Sequence, residues 1–319
     1  MKRTTKVLAA LLALSLLGAA CGGDDDDDSA SSDDGGSDAA DVPDGPAITI
    51  GAQDFGESMI LSDIYAGALD NAGYEADTTE VGGFRDLLFS AFESGEINMA
   101  VDYVASQLEF LNDGAGQATS DVDETVAILE PLLEQRGLQA GAASEAVDTN
   151  AFVITQETSD DLGITTLSDL AEKGADLTLG APPDCESNGF CIPGLQRVYG
   201  VDFTQSFTPL DFGVIPDSLD EGAIDVGVVS STDGRLADDS TGWVLLEDDK
   251  GLFAADNIFP VFSQDVYDAY GNDLVSLLDE ISGELTTDDL IAMNKRYDVD
   301  KDDAEDIATD WLDDHGFGD

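Results

Sequence analysis

Two stretches of the chain share one layout although they begin 127 residues apart, at positions 93 and 220. ESGEINMAVDY (93–103) and DEGAIDVGVVS (220–230) each pass from an acidic helix end through a glycine into a buried strand. Around them, short β-branched runs such as AITIGA (47–52) alternate with helical segments. The alternation predicts parallel sheets covered by helices, and the repeated layout predicts two similarly built α/β lobes.

The predicted binding site lies where the strands of these lobes end. Ligands of open α/β sheets bind beyond the carboxyl ends of the strands. Those ends are Asp102 and Tyr103 in the first lobe and Ser230, Ser231 and Thr232 in the second. If the lobes face each other, these side chains line one cleft.

The first residues are typical of an export signal. Lys2, Arg3 and Lys6 precede an apolar run that is too short to span a membrane, and small residues then lead to Cys21. This order favours a lipoprotein signal peptide over residues 1–21 that ends at a lipidated Cys21. The alternative is an ordinary signal peptide with an incidental cysteine.

Residues 22–46 contain almost nothing that can be buried. They are mainly Gly, Ser, Ala and Asp, so we expect a disordered acidic tether. Together with the lipid, such a tether holds a folded body at the outer face of the cell membrane, in the periplasm if an outer membrane exists. The predicted location is therefore extracytoplasmic.

The folded body is itself strongly acidic. The chain has 69 acidic and 12 basic residues, and without the ten acids of 22–46 and the three bases of the leader the body keeps 59 acids and 9 bases. This charge excludes nucleic acid as a partner. A solvated surface suited to a saline medium is the simplest interpretation. DVDKDDAED (298–306) lacks the glycine that a calcium-binding EF-hand loop requires.

Cys185 and Cys191 form a close pair in CESNGFC. In an exported protein such a pair favours a disulfide. A zinc site is the alternative, but it requires two more ligands, and the single histidine, His315, is far along the chain. We predict neither a metal nor a cofactor.

Several segments, taken in order, resemble one known family. They include IGAQDFGESMILSDIYAGAL, AFESGEINMAVDYVAS, LTLGAPPDC and LTTDDLIAMNKRYDVDKDDAEDIATDWL. Their order and spacing from about Ile48 to the C-terminus are similar to those of the substrate-binding proteins of ABC importers for glycine betaine, choline and related osmoprotectants.

The resemblance implies the type II periplasmic-binding-protein fold. In that fold two α/β lobes, each a mainly parallel sheet flanked by helices, are joined by two crossing strands that act as a hinge. We expect lobe 1 at 47–146 plus 255–319, lobe 2 at 147–254, and crossings near Ser144–Thr149 and Leu252–Asn257. The implied mechanism is closure on a solute by a monomeric receptor, which then delivers it to an ABC permease and its ATPase.

The resemblance also implies which side chains bind the solute. A trimethylammonium group has no hydrogen to donate, so aromatic faces hold it through cation–π attraction. Phe55 and Glu57 lie in DFGESM at the family's Asn-Phe-x-Glu pattern, where a helix N-terminus offers donors to a betaine carboxylate. Tyr103 matches the tyrosine of the family's Glu-Tyr-Thr-Gly segment and is the strongest candidate. A packed tyrosine with a structural hydroxyl is the alternative.

The chain departs from the family where many relatives carry tyrosine. Asn150, Ser230 and Asp256 stand at those positions, so hydrogen bonds and a carboxylate replace much of the tyrosine cage. The candidate ligand-binding residues are Phe55, Glu57, Phe84, Tyr103, Asn150, Ser230, Ser231, Thr232 and Asp256.

Three phenylalanines and one arginine need a second interpretation. Phe84, Phe152 and Phe190 are candidates to refill the aromatic wall, although their spacing is more typical of core residues. Arg235 in STDGR is a candidate clamp for a carboxylate. In so acidic a body, a salt bridge to neighbouring acids is its more common role.

Two other classes of function compete with solute delivery. An enzyme is disfavoured because the chain has no G-x-S-x-G, phosphate-loop, H-E-x-x-H or G-x-G-x-x-G motif, and carboxylate pairs carry no information in so acidic a sequence. A lipid-anchored sensor or adhesin with the same body binds a solute without a permease. We predict a solute-binding lipoprotein for an osmoprotectant-like compound such as glycine betaine or choline.

Overall fold

The computed structural model describes residues 42, 44–83, 85–237 and 241–318. The predicted signal peptide, Cys21 and nearly all of the predicted tether lie outside these residues. The strands are β1 (Ile48–Ala52), β2 (Ala76–Glu80), β3 (Met99–Tyr103), β4 (Leu138–Ala140), β5 (Asn150–Thr155), β6 (Leu179–Ala181), β7 (Phe207–Pro209), β8 (Val226–Ser230), β9 (Trp243–Leu245) and β10 (Ile258–Ser263). The helices are α1 (Gly56–Asn71), α2 (Arg85–Ser94), α3 (Val104–Leu111), α4 (Val122–Glu134), α5 (Gln156–Leu162), α6 (Leu167–Lys173), α7 (Ile192–Val198), α8 (Ile215–Asp220), α9 (Gln264–Glu284), α10 (Thr287–Lys295) and α11 (Ala304–His315).

The two sheets of the described residues have the same strand order. The first is β2-β1-β3-β10-β4 and the second is β7-β6-β8-β5-β9. In both, the first three strands are parallel, and the fourth strand is antiparallel to both of its neighbours. Each sheet is therefore mixed. Its antiparallel fourth strand, β10 or β5, is the first strand after a connection between the lobes. The two-lobed α/β prediction is confirmed.

The repeated sequence layout corresponds to a repeated position in the fold. MAVDY forms β3 and VGVVS forms β8, and each is the third, central strand of its sheet. All five residues of β3 are buried, as are the first four of β8. The carboxyl ends of these two strands, at Tyr103 and Ser230, are the edges from which the site is built.

Each sheet has its own apolar core. In lobe 1, α1, α9, α10 and α11 pack on the first sheet through residues such as Leu61, Ile281 and Trp311. In lobe 2, α6 and α7 pack on the second sheet around Phe152 and Leu195. Burying each such side chain contributes about 1.5–3 kcal/mol. No described helix is both long enough and apolar enough to cross a membrane.

Two helices near the C-terminus show how local sequence fixes the positions of the elements. The N-cap Thr286 and Asp289 form a capping box that starts α10. Helix α9, which begins at Gln264, contains a break at Gly271, whose positive φ of 64° suits glycine.

Two connections join the lobes. One runs between β4 and β5 and the other between β9 and β10. They lie side by side, because Val147 and Asn257 form an antiparallel bridge and the Asp148 N–H donates to the Asp256 carbonyl at 3.1 Å. This pairing places Asp148 and Asp256 between the two sheets.

Candidate functional site

A cavity of about 260 Å³ lies where the two central strands end. Tyr103 at the end of β3 and Ser230 at the end of β8 both line it, so the two strand ends share one space. The described residues that line the cavity are Phe55, Arg85, Tyr103, Ala105, Ser106, Asp148, Thr149, Asn150, Asn188, Phe190, Phe212, Ser230, Phe253, Ala254 and Asp256.

Five of these residues are aromatic. Phe55 and Tyr103 come from lobe 1, and their ring centroids lie 6.4 Å apart with an interplanar angle of 28°. Phe190, Phe212 and Phe253 come from segments that surround the second sheet. Aromatic faces attract a cation and exclude water from it, so this wall suits a quaternary ammonium group.

Two carboxylates face the same space. Asp148 accepts a hydrogen bond from Ser230 Oγ, and Asp256 accepts one from Ser106 N at 2.9 Å and one from Ser106 Oγ at 2.5 Å. Burial between the lobes raises the pKa of Asp256 to about 6. Burial and then the charge of Glu57 raise the pKa of Asp148 well above its usual range. A bound cation offsets both effects.

Arg85 is the only cationic residue among the described residues that line the cavity, and its charge is already engaged. Its Nε donates to Asp102 Oδ2 at 2.9 Å, and its Nη2 donates to Asp102 Oδ1 at 2.6 Å. Asp102 is fully buried and also accepts from Gln107 Nε2 at 3.0 Å. The pair is neutral overall, so Asp148 and Asp256 leave the cavity with a surplus of negative charge.

Glu57 lies behind Tyr103, at the start of α1, and joins the two lobes. Its Oε1 accepts from Tyr103 Oη at 2.7 Å, and its Oε2 accepts from Thr232 Oγ1 and Asn294 Nδ2, each at 2.6 Å. Thr232 follows β8 and Asn294 lies on α10, so the three donors come from both lobes. Asn294 Nδ2 also donates to the Thr232 carbonyl at 2.9 Å. Burial raises the pKa of Glu57.

The predicted residues fall into three groups. Phe55, Tyr103, Asn150, Ser230 and Asp256 line the cavity. They come from five different segments of the chain, which only the fold brings together.

The remaining candidates among the described residues do not line this cavity. Glu57 and Thr232 form the contact between the lobes. Ser231 fixes the first connection, because its Oγ accepts from Thr149 N at 2.9 Å and its N–H donates to the Thr149 carbonyl at 2.8 Å. Phe84 lies outside the described residues.

The residues with two interpretations also differ from one another. Phe152 is completely buried in the core of lobe 2, whereas Phe190 lines the cavity. Arg235 forms a two-point ion pair with Asp233, with distances of 2.8 and 2.5 Å, and does not line the cavity. In the structure, Cys185 and Cys191 are joined by a disulfide.

Sequence reasoning missed several residues that line the cavity. Asp148 lies in the first connection and Phe253 in the second, and both connections were expected to cross between the lobes. Arg85, Asn188 and Phe212 carry no recognisable pattern. In a chain with 69 acidic residues, one more aspartate is not a signal, and only its place in a crossing segment points to Asp148.

No cluster of three or more potential metal ligands exists among the described residues. His315, on α11, contacts the Trp311 carbonyl through Nδ1 at 2.8 Å and stacks on the Trp311 ring. The single histidine therefore lies in the helical layer of lobe 1, away from the cavity.

Comparison with known proteins identifies the family. Residues 46–314 match the model of the substrate-binding domain of ABC-type glycine betaine transport systems. A glycine-betaine-binding protein of Pseudomonas aeruginosa is 27% identical over 87% of this chain and 90% of its own length. A carnitine transport binding protein of Listeria monocytogenes is 24% identical over 79% of this chain and 81% of its own length.

A solved structure supports the fold. The crystal structure of a glycine betaine/carnitine/choline ABC transporter protein superposes with a TM-score of 0.74 at 23% identity, covering 85% of this chain and all of that one. The chain therefore belongs to the substrate-binding domain family of ABC-type glycine betaine transport systems, whose members are extracytoplasmic solute receptors of importers and not enzymes.

Proposed function

We propose that this receptor captures a small quaternary ammonium solute with a net positive charge, of which choline is the simplest example. The observation that carries the proposal is the cavity itself, which five aromatic side chains and two carboxyl groups line and whose only lining arginine among the described residues is paired. Cation–π attraction and carboxylate charge both act on such a solute, and each is stronger where water is excluded.

The relatives named for glycine betaine and carnitine support a zwitterionic solute as the second candidate. A zwitterion brings a carboxylate that needs donors of its own. Arg85 offers its guanidinium only in competition with Asp102, and Asn150, Asn188 and Ser106 offer neutral donors. The surplus of negative charge therefore favours choline over the betaines.

Binding by closure between two lobes follows from the placement of these groups. We assign lobe 1 to 47–146 plus 255–319 and lobe 2 to 147–254, with the hinge in the two paired connections. Tyr103 and Phe55 lie on lobe 1, and Ser230 and Phe190 lie on lobe 2. Closure brings them onto one solute, and the closed form then docks on an ABC permease driven by its ATPase.

Lipid anchoring belongs to the same proposal. The order of residues up to Cys21 favours lipidation there, and the acidic segment 22–46 then acts as a tether between the membrane and a monomeric body. Mass spectrometry of the membrane-extracted protein tests this assignment. A mature chain that starts elsewhere, or an unmodified Cys21, contradicts it.

Calorimetric titration with choline, glycine betaine and carnitine tests the choice of solute. We expect choline to bind at least tenfold more tightly than either zwitterion, which corresponds to about 1.4 kcal/mol. Equal affinities, or a preference for glycine betaine, contradict the charge argument. A protein that binds none of the three contradicts the proposed function.

A transport assay distinguishes a receptor that delivers its solute to a permease from a sensor that has no permease. Uptake of labelled choline by cells that carry the receptor together with a permease and an ATPase of its family is expected to require the receptor. Uptake that is unaffected by deleting it favours the sensor.

A further inference from the structure

A chain of four oxygen–oxygen contacts crosses the cleft from Asp148 to Tyr103. Ser230 Oγ contacts Asp148 Oδ1, and Thr232 Oγ1 lies 2.7 Å from Ser230 Oγ. Thr232 Oγ1 also lies 2.6 Å from Glu57 Oε2, and Tyr103 Oη lies 2.7 Å from Glu57 Oε1. None of the four contacts is longer than an O–H···O hydrogen bond, so each needs one hydrogen between its oxygens.

The hydroxyl groups supply too few hydrogens for these contacts. Ser230, Thr232 and Tyr103 carry one hydrogen each, and an ionised carboxylate carries none. Three hydrogens cannot fill four contacts, and two oxygens at this distance with no hydrogen between them repel each other. The missing hydrogen must belong to one of the two carboxyl groups, Asp148 or Glu57.

The neighbouring N–H groups do not supply it. Thr232 N donates to Ser230 Oγ at 3.2 Å, and Asn294 Nδ2 donates to Glu57 Oε2. Both reach oxygens of the chain from outside it, and neither places a hydrogen in a contact between two of its oxygens. The deficit of one hydrogen therefore remains.

We propose that the closed cleft carries one proton that Asp148 and Glu57 share through the hydroxyls of Ser230 and Thr232. Glu57 belongs to lobe 1 and Thr232 to lobe 2, so the chain is complete only when the lobes meet. Separation returns both carboxyl groups to water, where they ionise at neutral pH. Closure on a solute therefore takes up about one proton, a consequence that rests on the proposed function.

The charges around the chain favour keeping this proton. Arg85 is paired with Asp102 and Arg235 with Asp233, so most of the nearby positive charge is already neutralised. Burial raises the pKa of both Glu57 and Asp148, and their mutual charge adds to the shift of Asp148. The titratable and charged groups that line the cavity or the neighbouring space around Glu57 are Asp54, Arg85, Tyr103, Asp233, Arg235, Asp256, Tyr297, Asp298 and Lys301, and Asp102 is bound to Arg85.

Calorimetry of choline binding at pH 8 in phosphate and in Tris buffer measures the proton directly. The two buffers have different enthalpies of ionisation. The difference in the observed binding enthalpy between them therefore gives the number of protons that the protein takes up from the buffer. Asp256, with a pKa of about 6, is ionised at pH 8 and does not contribute. We expect an uptake of about one proton, and a Kd that rises about tenfold per pH unit between pH 7 and 9.

Two variants identify the chain as the source. Asp148→Asn carries a permanent N–H toward Ser230, and Thr232→Val removes the two central contacts, so in both we expect the proton uptake and the pH dependence of Kd to disappear. Thr125→Val is the matched control, because Thr125 is equally buried but its hydrogen bonds stay within lobe 1. We expect this variant to keep both the proton uptake and the pH dependence of Kd. A wild-type Kd that is constant from pH 7 to 9, with no effect of buffer on the enthalpy, overturns the proposal.

The failure of the proposed function is distinguishable from this outcome. If choline, glycine betaine and carnitine give no heat, the proton is sought by carboxyl ¹³C chemical shifts in unliganded protein whose lobes are held closed by a cross-link. A carboxyl step above pH 7 that Asp148→Asn removes supports the shared proton. Titration of all carboxyl groups below pH 6 overturns it.

Discussion

The two lobes have the same sheet order but end their central strands in different chemistry. In lobe 1, β3 ends with Asp102, which is held by Arg85, and with Tyr103, whose ring faces the cavity. In lobe 2, β8 ends with Ser230 and is followed by Thr232, and both present hydroxyls. The shared topology sets the position of both strand ends, and the side chains decide what each lobe does there.

This difference divides the work of the site between the lobes. Lobe 1 supplies Phe55 and Tyr103 and, beside them, the ion pair of Arg85 and Asp102, whose bonds lie within lobe 1 and do not depend on closure. Lobe 2 supplies three phenylalanines and two small hydroxyls, and of the hydroxyls only that of Thr232 reaches across to Glu57, so this contact depends on closure. A repeated fold thus predicts where a site lies, but its chemistry has to be argued from individual residues.

The ion pair of lobe 1 includes a residue of β3 itself, whereas the Arg235–Asp233 pair of lobe 2 lies beyond β8 and does not line the cavity, so removing Arg85 is the strongest test of the division. Arg85→Met leaves Asp102, which is fully buried, without its partner. We expect the free energy of unfolding at pH 7 to fall by about 3–5 kcal/mol, because an unpaired buried charge is costly. Urea unfolding measures the change.

The double variant Arg85→Met with Asp102→Asn is the control for this result. It removes the charge together with its partner, and we expect it to recover more than half of the lost stability. A single variant that loses less than about 1 kcal/mol shows that water reaches Asp102 and that lobe 1 is no more rigid than lobe 2.

Tyr103 tests whether the wall of lobe 1 binds the solute. Tyr103→Ala removes the ring, and we expect choline binding to weaken by about 1–3 kcal/mol through the loss of a desolvated cation–π contact. Tyr103→Phe keeps the ring but removes the hydrogen bond to Glu57. An affinity for Tyr103→Ala equal to that of the wild type means that the tyrosine is structural.

Much of the fold is readable from the sequence because its strands and helices alternate clearly. β10 is the exception, since Pro260 lies within it and a proline argues against a strand that pairs on both sides. The structure accommodates Pro260 because its carbonyl accepts from Gly141 N at 2.9 Å, while proline has no N–H of its own to satisfy.

The site is less readable, because it is assembled from distant segments. Tyr103 and Ser230 follow from the rule about strand ends, and both line the cavity. Asp148 does not, because its importance depends on the pairing of the two connections and on Ser230 across the sheet. The contact between Thr232 and Glu57, 175 residues apart, likewise has no local sequence pattern.

Asp256 tests the charge that both lobes enclose. Its pKa of about 6 lies above the usual range of an aspartate. Between about pH 4 and 6 the folded protein therefore binds more protons than the unfolded chain. Because of this carboxyl, the fold becomes less stable as pH rises through that window. We therefore expect Asp256→Asn to gain stability relative to the wild type by about 2 kcal/mol between pH 4 and 7. Choline binding weakens in the same variant.

Unfolding of both proteins across this pH range measures the gain. Asp176→Asn, at an exposed position of lobe 2, is the control. We expect the difference in stability between this variant and the wild type to be the same at every pH of the range. A constant difference between Asp256→Asn and the wild type shows that Asp256 is fully solvated in the cleft.

The smallest predicted effect separates closure from contact with the solute. Gly234 lies on lobe 2 directly against the backbone of α10 at Asn294 and Lys295, and a methyl group there overlaps that backbone. We expect Gly234→Ala to weaken choline binding about tenfold, or about 1.4 kcal/mol, through faster dissociation. The stability of the unliganded protein is expected to stay unchanged, because the overlap exists only when the lobes meet. Gly283→Ala, where the added carbon meets nothing within 4 Å, is the matched control and keeps the wild-type affinity. If Gly234→Ala binds as the wild type does, the lobes close without the contact between Thr232 and Asn294, and lobe 2 acts through the cavity alone.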